Sequence, residues 1–239
     1  MSSPDSIATG LIAEAADPLR YGKLLEDPFE PPGIMRRMMP SNVRVLDVGC
    51  GAGGGTLVMN AGKHNEVLGI EPDPRRAEAA RSRGLDVRQM LFDADALSGL
   101  GRFDVVVLAD VLEHQADPAA MLGLVRRCLA PQGRVLISAP NVAHWTVRLG
   151  LLFGRFDYRD SGLMDATHLR WFTERSLLAF VRRCGFEVVE VAHASGAWMA
   201  AYRIVPRFLR RRCVRGLVVL NPRLFGCQHV ISVRMPQLD

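Results

Sequence analysis

Asp110, Glu113 and His114 stand within five residues of one another in the stretch ADVLEHQ, and Asp165 precedes His168 by three in MDATHLR. Carboxylates and imidazoles are the side chains that move protons near neutral pH and that hold divalent cations. On a helical turn Asp110 shares a face with Glu113 and His114. Two carboxylates with one imidazole make an oxygen-rich set that suits Mg²⁺ or Mn²⁺ better than structural zinc. The Asp165–His168 spacing suits a general base with an orienting acid. His144 is followed by Trp145, whose flat indole suits the apolar face of a sugar or ring. Each group also has a plainer reading: the histidines as satisfied structural residues, and Glu113 with His114 as a pocket wall or helix cap.

A different chemistry is written in LDVGCGAGGGT, residues 46–56, which packs five glycines into eleven positions. Bare backbone lets a ligand approach the amides closely, and Gly49-x-Gly51-x-x-Gly54 fits a dinucleotide fingerprint. Asp47, two residues before the first glycine, would repel a pyrophosphate but suits an ammonium group. Glu71, 24 residues further on, falls where an acid can accept both hydroxyls of a ribose. A nucleoside joined to an amino acid meets both demands, which points to S-adenosylmethionine (SAM).

These residues need elements to position them. The apolar runs at 43–48, 66–72, 85–90, 102–110, 134–140, 186–193 and 227–235 read as strands. Helices are expected at 33–40, 55–62, 73–84, 117–133 and 173–185, with Asp73 and Asp117 as N-terminal caps. The stretch 140–173 reads as irregular. Alternating strands and helices with nearly continuous Val, Ile and Leu runs predict an α/β, Rossmann-like, doubly wound sheet of seven strands. It is mostly parallel, with one antiparallel strand at the edge. Residues 1–40 read as lead-in helices. Residues 41–239 read as one domain carrying an acceptor-site insertion at 140–173 and a basic segment at 194–226.

Bulk composition narrows the rest. At 239 residues and 49% hydrophobic the chain has ample core for one large domain. The five cysteines are scattered without a C-x-x-C spacing, which argues against a disulfide framework and a cysteine zinc site. The start lacks a basic-then-apolar signal pattern, so a cytoplasmic location is expected. Net charge is +5, but residues 191–239 carry eight arginines against one acid, while the first 190 residues sum to −2. One basic segment suggests a local site, and 203–223 is expected to form an amphipathic helix over the acceptor or on an anionic membrane surface. Its plainer reading is a solvated Arg-rich face. Nucleic acid is not expected, since aromatic residues are not interleaved with the arginines. A homodimer is compatible with the sequence.

The series VLDVGCGAGGG, GIEPDP, FDAD, FDVVVLADVLEH and LAPQGRVLISAPN resembles, in order and spacing, the motifs of class I SAM-dependent methyltransferases. The resemblance covers roughly residues 40–193. It implies that Asp47, Gly49, Cys50 and Gly51 hold the methionine part, Glu71 the ribose, and Asp93 with the Ala94 amide the adenine, with Asp110 also among the cofactor-binding residues. The DVLEH stretch resembles an element of quinone-biosynthesis O-methyltransferases that is linked to a divalent metal. The stretch 140–173, followed by PRLFGCQHV, resembles methyltransferases associated with glycan machinery. The expected activity is therefore O-methylation of a sugar or glycan hydroxyl, with His168, Asp165, His114 and His144 as catalytic candidates. Asp110, Glu113 and His114 are the metal candidates, for Mg²⁺ or Mn²⁺. A quinol or other small-metabolite acceptor is the alternative. An NAD(P)-dependent oxidoreductase and a non-catalytic SAM-binding module are readings from other classes.

Overall fold

A computed structural model describes residues 17, 19, 22, 24 and 26–236. The expected lead-in at residues 1–16 lies outside the described residues. A seven-stranded sheet runs β3-β2-β1-β4-β5-β7-β6. The strands are β1 (Arg44–Val48), β2 (Glu66–Ile70), β3 (Asp86–Arg88), β4 (Phe103–Ala109), β5 (Leu129–Pro140), β6 (Glu187–Ala194) and β7 (Gln228–Arg234). The first five pair in parallel. Antiparallel pairing is confined to the far end, where β7 inserts between β5 and β6. The expected antiparallel strand is therefore β7, one position in from the edge, and β6 is the edge strand.

The helices are α1 (Pro31–Met38), α2 (Gly54–Asn60), α3 (Pro74–Arg81), α4 (Pro118–Cys128), α5 (Trp145–Leu152), α6 (Glu174–Arg183), α7 (Arg207–Leu220) and α8 (Pro222–Phe225). Side chains alternate across each strand, so every buried strand feeds two cores. Leu46, Val48, Val106 and Leu108 face Leu122 and Val125 of α4 and Leu177 and Val181 of α6. Val45, Val105, Val107 and Leu136 face Ile34 and Met35 of α1, Met59 of α2 and Val147 of α5. Helix α1 is thus part of the core layer rather than a detached lead-in. Among the described residues no helix is long and apolar enough to cross a membrane.

Local chemistry sets most boundaries. Asp73 caps α3 by accepting the Arg76 amide, and Asp117 caps α4 by accepting the amides of Ala119 and Ala120. Thr173 and Ser176 cap α6 reciprocally. Two expectations are corrected. Helix α4 ends at Cys128 instead of reaching residue 133, because Pro131 cannot donate a helical N–H and its ring pushes the preceding residue into extended backbone. Residues 129–133 therefore open β5. The stretch 140–173, read as irregular, contains α5, capped by His144, whose ring accepts the Thr146 amide.

Candidate active site

The C-terminal ends of β1, β2 and β4 form the wall of the site. Gly49, Gly51 and Gly53 all adopt left-handed backbone, with φ of 72°, 55° and 79°. This is why the turn between β1 and α2 needs glycine. At Gly53 a side chain would also collide with the Leu85 methyl, 2.5 Å from the position of a Cβ. The chain turns tightly enough for the Gly49 and Cys50 amides both to reach the Ile70 carbonyl, at 2.7 and 3.1 Å.

Two buried acids flank this turn. Asp47 closes β1, and its Oδ2 accepts the Thr56 hydroxyl of α2 at 2.6 Å. Burial pushes the Asp47 carboxyl up to about 7, with the Thr56 hydrogen bond opposing and the Glu71 charge adding to the rise. Glu71 follows β2 and accepts the Gly51 amide at 2.9 Å on Oε2 and the Asp73 amide at 3.0 Å on Oε1. Each of its oxygens keeps a second lone pair for a ligand hydroxyl. Cys50 turns its thiol inward onto Ala77, Ala80 and Val87, so its side chain is a wall beneath the turn. Asp93 is exposed and uses Oδ1 to accept the amides of Asp95 and Ala96, which makes it a turn cap; Ala94 beside it is exposed.

The second part of the site lies past β4. Asp110 is held in left-handed backbone at φ 56°, a conformation that a non-glycine residue adopts at a cost of order 1–3 kcal/mol. Its Oδ1 accepts the Ser138 hydroxyl at 2.7 Å and the Gln228 amide at 2.8 Å, joining three strands. Glu113 is buried, and among the described residues neither of its carboxylate oxygens has a hydrogen-bond partner. Burial, followed by the Asp110 charge, holds its carboxyl well above the usual range. The Glu113 carbonyl accepts the amides of Leu169 and Arg170 at 2.7 and 2.9 Å, which pins the 165–170 loop over the β4 terminus. That clamp brings His168 to His114, ring centroids 4.9 Å apart, although 54 positions separate them in sequence.

His168 is buried, and its Nδ1 has no hydrogen-bond partner among the described residues. Burial, then the neighbouring His114, holds its imidazole below the ordinary 6.5, so the ring is neutral and can take a proton. Asp165 accepts the Thr167 amide and hydroxyl on Oδ1, at 2.9 and 2.6 Å, which shapes the loop that carries His168. One ligand atom each from Glu113, His114 and His168 lies within 4.8 Å of the others. His168, rather than the expected Asp110, thus joins Glu113 and His114, while Asp110 is engaged by Ser138 and Gln228.

His144 is placed elsewhere. It is fully buried, with Nδ1 2.8 Å from the Thr146 hydroxyl and Nε2 3.1 Å from the Tyr202 hydroxyl, which also accepts the Trp145 indole N–H. Both ring nitrogens are engaged within the protein, away from His168, and Trp145 is tied into the same network. Aromatic rings instead gather around His168: Trp171 lies 5.5 Å from it, and Phe156 and Tyr158 pack on Trp171. A second group of metal-ligating type, Glu174, His193 and His229, lies under α6. There Glu174 is already held by His193 at 2.7 Å and Arg223 at 2.9 Å, tying α6 to β6 and α8.

With this geometry in hand, comparison with known proteins decides the family. A family model described as a methyltransferase domain matches residues 10–191. The chain belongs to that methyltransferase family. It is similar to the ubiquinone biosynthesis O-methyltransferase of Cereibacter sphaeroides (strain ATCC 17029 / ATH 2.4.9), 32% identical over 156 residues, which covers 62% of each chain. The corresponding protein of Xanthomonas axonopodis pv. citri (strain 306) is 28% identical over 168 residues, covering 66% of this chain and 69% of that one. The chain thus spans about three fifths of the length of the first of these relatives. Among solved structures, a SAM-dependent methyltransferase from Archaeoglobus fulgidus superposes with a TM-score of 0.58 at 20% identity, covering 84% of this chain and 91% of that one. The Burkholderia thailandensis 1,6-didemethyltoxoflavin-N1-methyltransferase, solved with 1,6-didemethyltoxoflavin and S-adenosylhomocysteine, gives 0.58 at 18% identity over 99% and 92% of the chains. These likenesses establish the Rossmann-like methyltransferase fold that the motif series implies.

Several site residues escape a reading by sequence. Thr56 tethers Asp47, Thr167 anchors Asp165, and Ser138 with Gln228 fixes Asp110. Thr56 carries a signal, as a hydroxyl just past the glycine run. Gln228 carries none, because it reaches the site from the last strand of the chain.

Proposed function

We propose that this protein transfers the methyl group of SAM to a hydroxyl of a quinol or similar small aromatic metabolite. The carrying observation is the pairing of two half-sites at the C-terminal ends of neighbouring strands. A buried acid pair flanks the glycine turn after β1, and His168, whose Nδ1 has no hydrogen-bond partner among the described residues, stands past β4 among aromatic rings. Asp47 supplies the charge for the SAM ammonium, and Glu71 supplies acceptors for the ribose hydroxyls. The aromatic residues around His168 suit a flat acceptor. The names of the curated relatives support a quinol acceptor rather than the expected sugar.

In the transfer, His168 takes the acceptor's O–H proton as the oxygen attacks the methyl carbon. The S–CH₃ bond breaks, its electron pair stays on sulfur, and S-adenosylhomocysteine leaves. Sulfonium is a good leaving group, so alignment supplies much of the rate and the base supplies the remainder. Asp110, locked by Ser138 and Gln228, keeps the end of β4 rigid beneath the reacting atoms.

The donor set also fits a divalent cation, since the two buried Glu113 oxygens and the His168 Nδ1 lack partners. Glu113, His114 and His168 would hold it. One carboxylate and two imidazoles favour Mn²⁺ or a later transition metal over the Mg²⁺ expected for an oxygen-rich set. When bound, such an ion would acidify the acceptor hydroxyl. The test is transfer of labelled methyl from SAM to parallel panels of quinols and oligosaccharides, with and without EDTA. Labelled quinol methyl ethers support the proposal. Label on sugars alone, or on neither panel, contradicts it.

A further inference from the structure

From residue 191 to residue 238 the chain holds eight arginines and no carboxylate. Helix α7, RFLRRRCVRGLVVL, lies in this stretch, and only its Val214 is buried. A surface helix normally turns its apolar stripe inward. Here Ile204 just before the helix is 92% exposed, and Phe208, Val219 and Leu220 on it are 80%, 85% and 79% exposed. Phe208 and Val219 are eleven residues apart, three helical turns, so they share one outward row with Arg212 between them. Leu209, Cys213, Gly216 and Leu220 form the adjacent row.

The opposite face is already engaged. Val214 packs with Tyr202 and Ala197, and Leu217 and Trp145 pack against that cluster. Arg211 pairs with Asp27 at 2.5 Å, and Arg215 lies over the Phe29 ring, anchoring the helix to the body. Through Trp145, α5 begins beside α7, and it exposes Leu149, Leu151, Leu152 and then Phe153. Large apolar patches rimmed by polar groups mark interaction sites.

Charge selects the occupant. A second copy of the chain, docking isologously, would set arginine rows against each other with no acid in the segment to offset them. A nucleic acid would leave the leucines and valines uncovered. An anionic bilayer offers phosphates and an apolar interior together. We propose that α7, with the end of α5, docks the protein on an anionic phospholipid surface. Phe208, Val219 and Leu220 enter the headgroup–acyl boundary, and Arg212 faces the lipid phosphates. The family match ends at residue 191, so the helix is a feature of this chain outside that match. The docking is independent of which acceptor is methylated.

The test is co-sedimentation of the full chain with vesicles of pure phosphatidylcholine or of equal parts phosphatidylcholine and phosphatidylglycerol. We expect partition at least about tenfold stronger onto the anionic vesicles, weakening as salt screens the surface. Phe208→Ser with Val219→Ser, and separately Arg212→Glu, should each weaken it by about tenfold or more. Calorimetric affinity for SAM, which these exposed residues do not touch, should be unchanged in both variants and so reports that they are folded. Equal binding to both vesicle types would overturn the proposal. So would binding insensitive to both variants, or no lipid binding together with a dimer in ultracentrifugation that Phe208→Ser with Val219→Ser dissociates.

Discussion

Replacing Asp47 by Asn should move stability and cofactor affinity in opposite directions. In the ligand-free fold, burial pushes Asp47 from its ordinary 3.8 to about 7. At about 1.4 kcal/mol per pKa unit, the ionised carboxylate costs the fold on the order of 4 kcal/mol. Because the folded value is raised, the associated stability is fully present below the unfolded value and is lost as pH rises through about 7. Asp47→Asn keeps an acceptor for the Thr56 hydroxyl and removes the charge. Its advantage over wild type should be absent below about pH 4, grow between there and about pH 7, and stay constant above. SAM binding should go the other way. Without the carboxylate its ammonium loses a charge-assisted hydrogen bond worth about 1.5–3 kcal/mol, roughly a 10- to 150-fold rise in Kd. Thermal denaturation across that pH range, on protein without ligand, reads the first effect, and titration calorimetry with SAM reads the second. A variant less stable than wild type above pH 7 would refute the reasoning about burial. Unchanged SAM affinity would refute the assignment of the ammonium to Asp47.

Two further substitutions probe the rest of the site. His168→Ala should lower kcat by about 10²–10⁴ with SAM affinity near wild type. Since burial and His114 hold His168 below 6.5, the wild-type rate should stay level as pH falls to 6.5 and decline only below it, and the variant should lack that decline. Gly53→Ala should destabilise the chain by roughly 1–3 kcal/mol in urea unfolding, because its φ is 79° and the added Cβ would meet Leu85.

Much of the fold was legible because its signals are local. Buried parallel strands read as apolar runs, and Asp73, Asp117 and Thr173 announce their helices through caps. The place of β7 between β5 and β6 was not legible, since pairing order is set by packing over the whole sheet. Helix α5 was missed because its start is set by the His144 cap and its long-range tie to Tyr202. In the site, Asp47 and Glu71 could be found because the glycine turn fixes their distance along the chain from the ligand. His168 could be named as a candidate, but its meeting with Glu113 and His114 depends on two backbone hydrogen bonds between residues more than fifty positions apart. Nothing beside His144 in sequence reveals that Tyr202 engages its second nitrogen. The hold on Asp110 is hidden for the same reason, as Gln228 arrives from the end of the chain.

The C-terminal ends of β1, β2 and β4 are proposed to hold SAM by Asp47 and Glu71 and to present an acceptor hydroxyl to His168. A crystal structure with S-adenosylhomocysteine and a quinol tests it most directly. The account predicts the amino group on Asp47, the ribose hydroxyls on Glu71, and the acceptor oxygen within about 2.6–3.2 Å of a His168 ring nitrogen. A nucleoside bound away from the Gly49–Gly53 turn, or an acceptor oxygen out of reach of His168 with no ion between them, would contradict it.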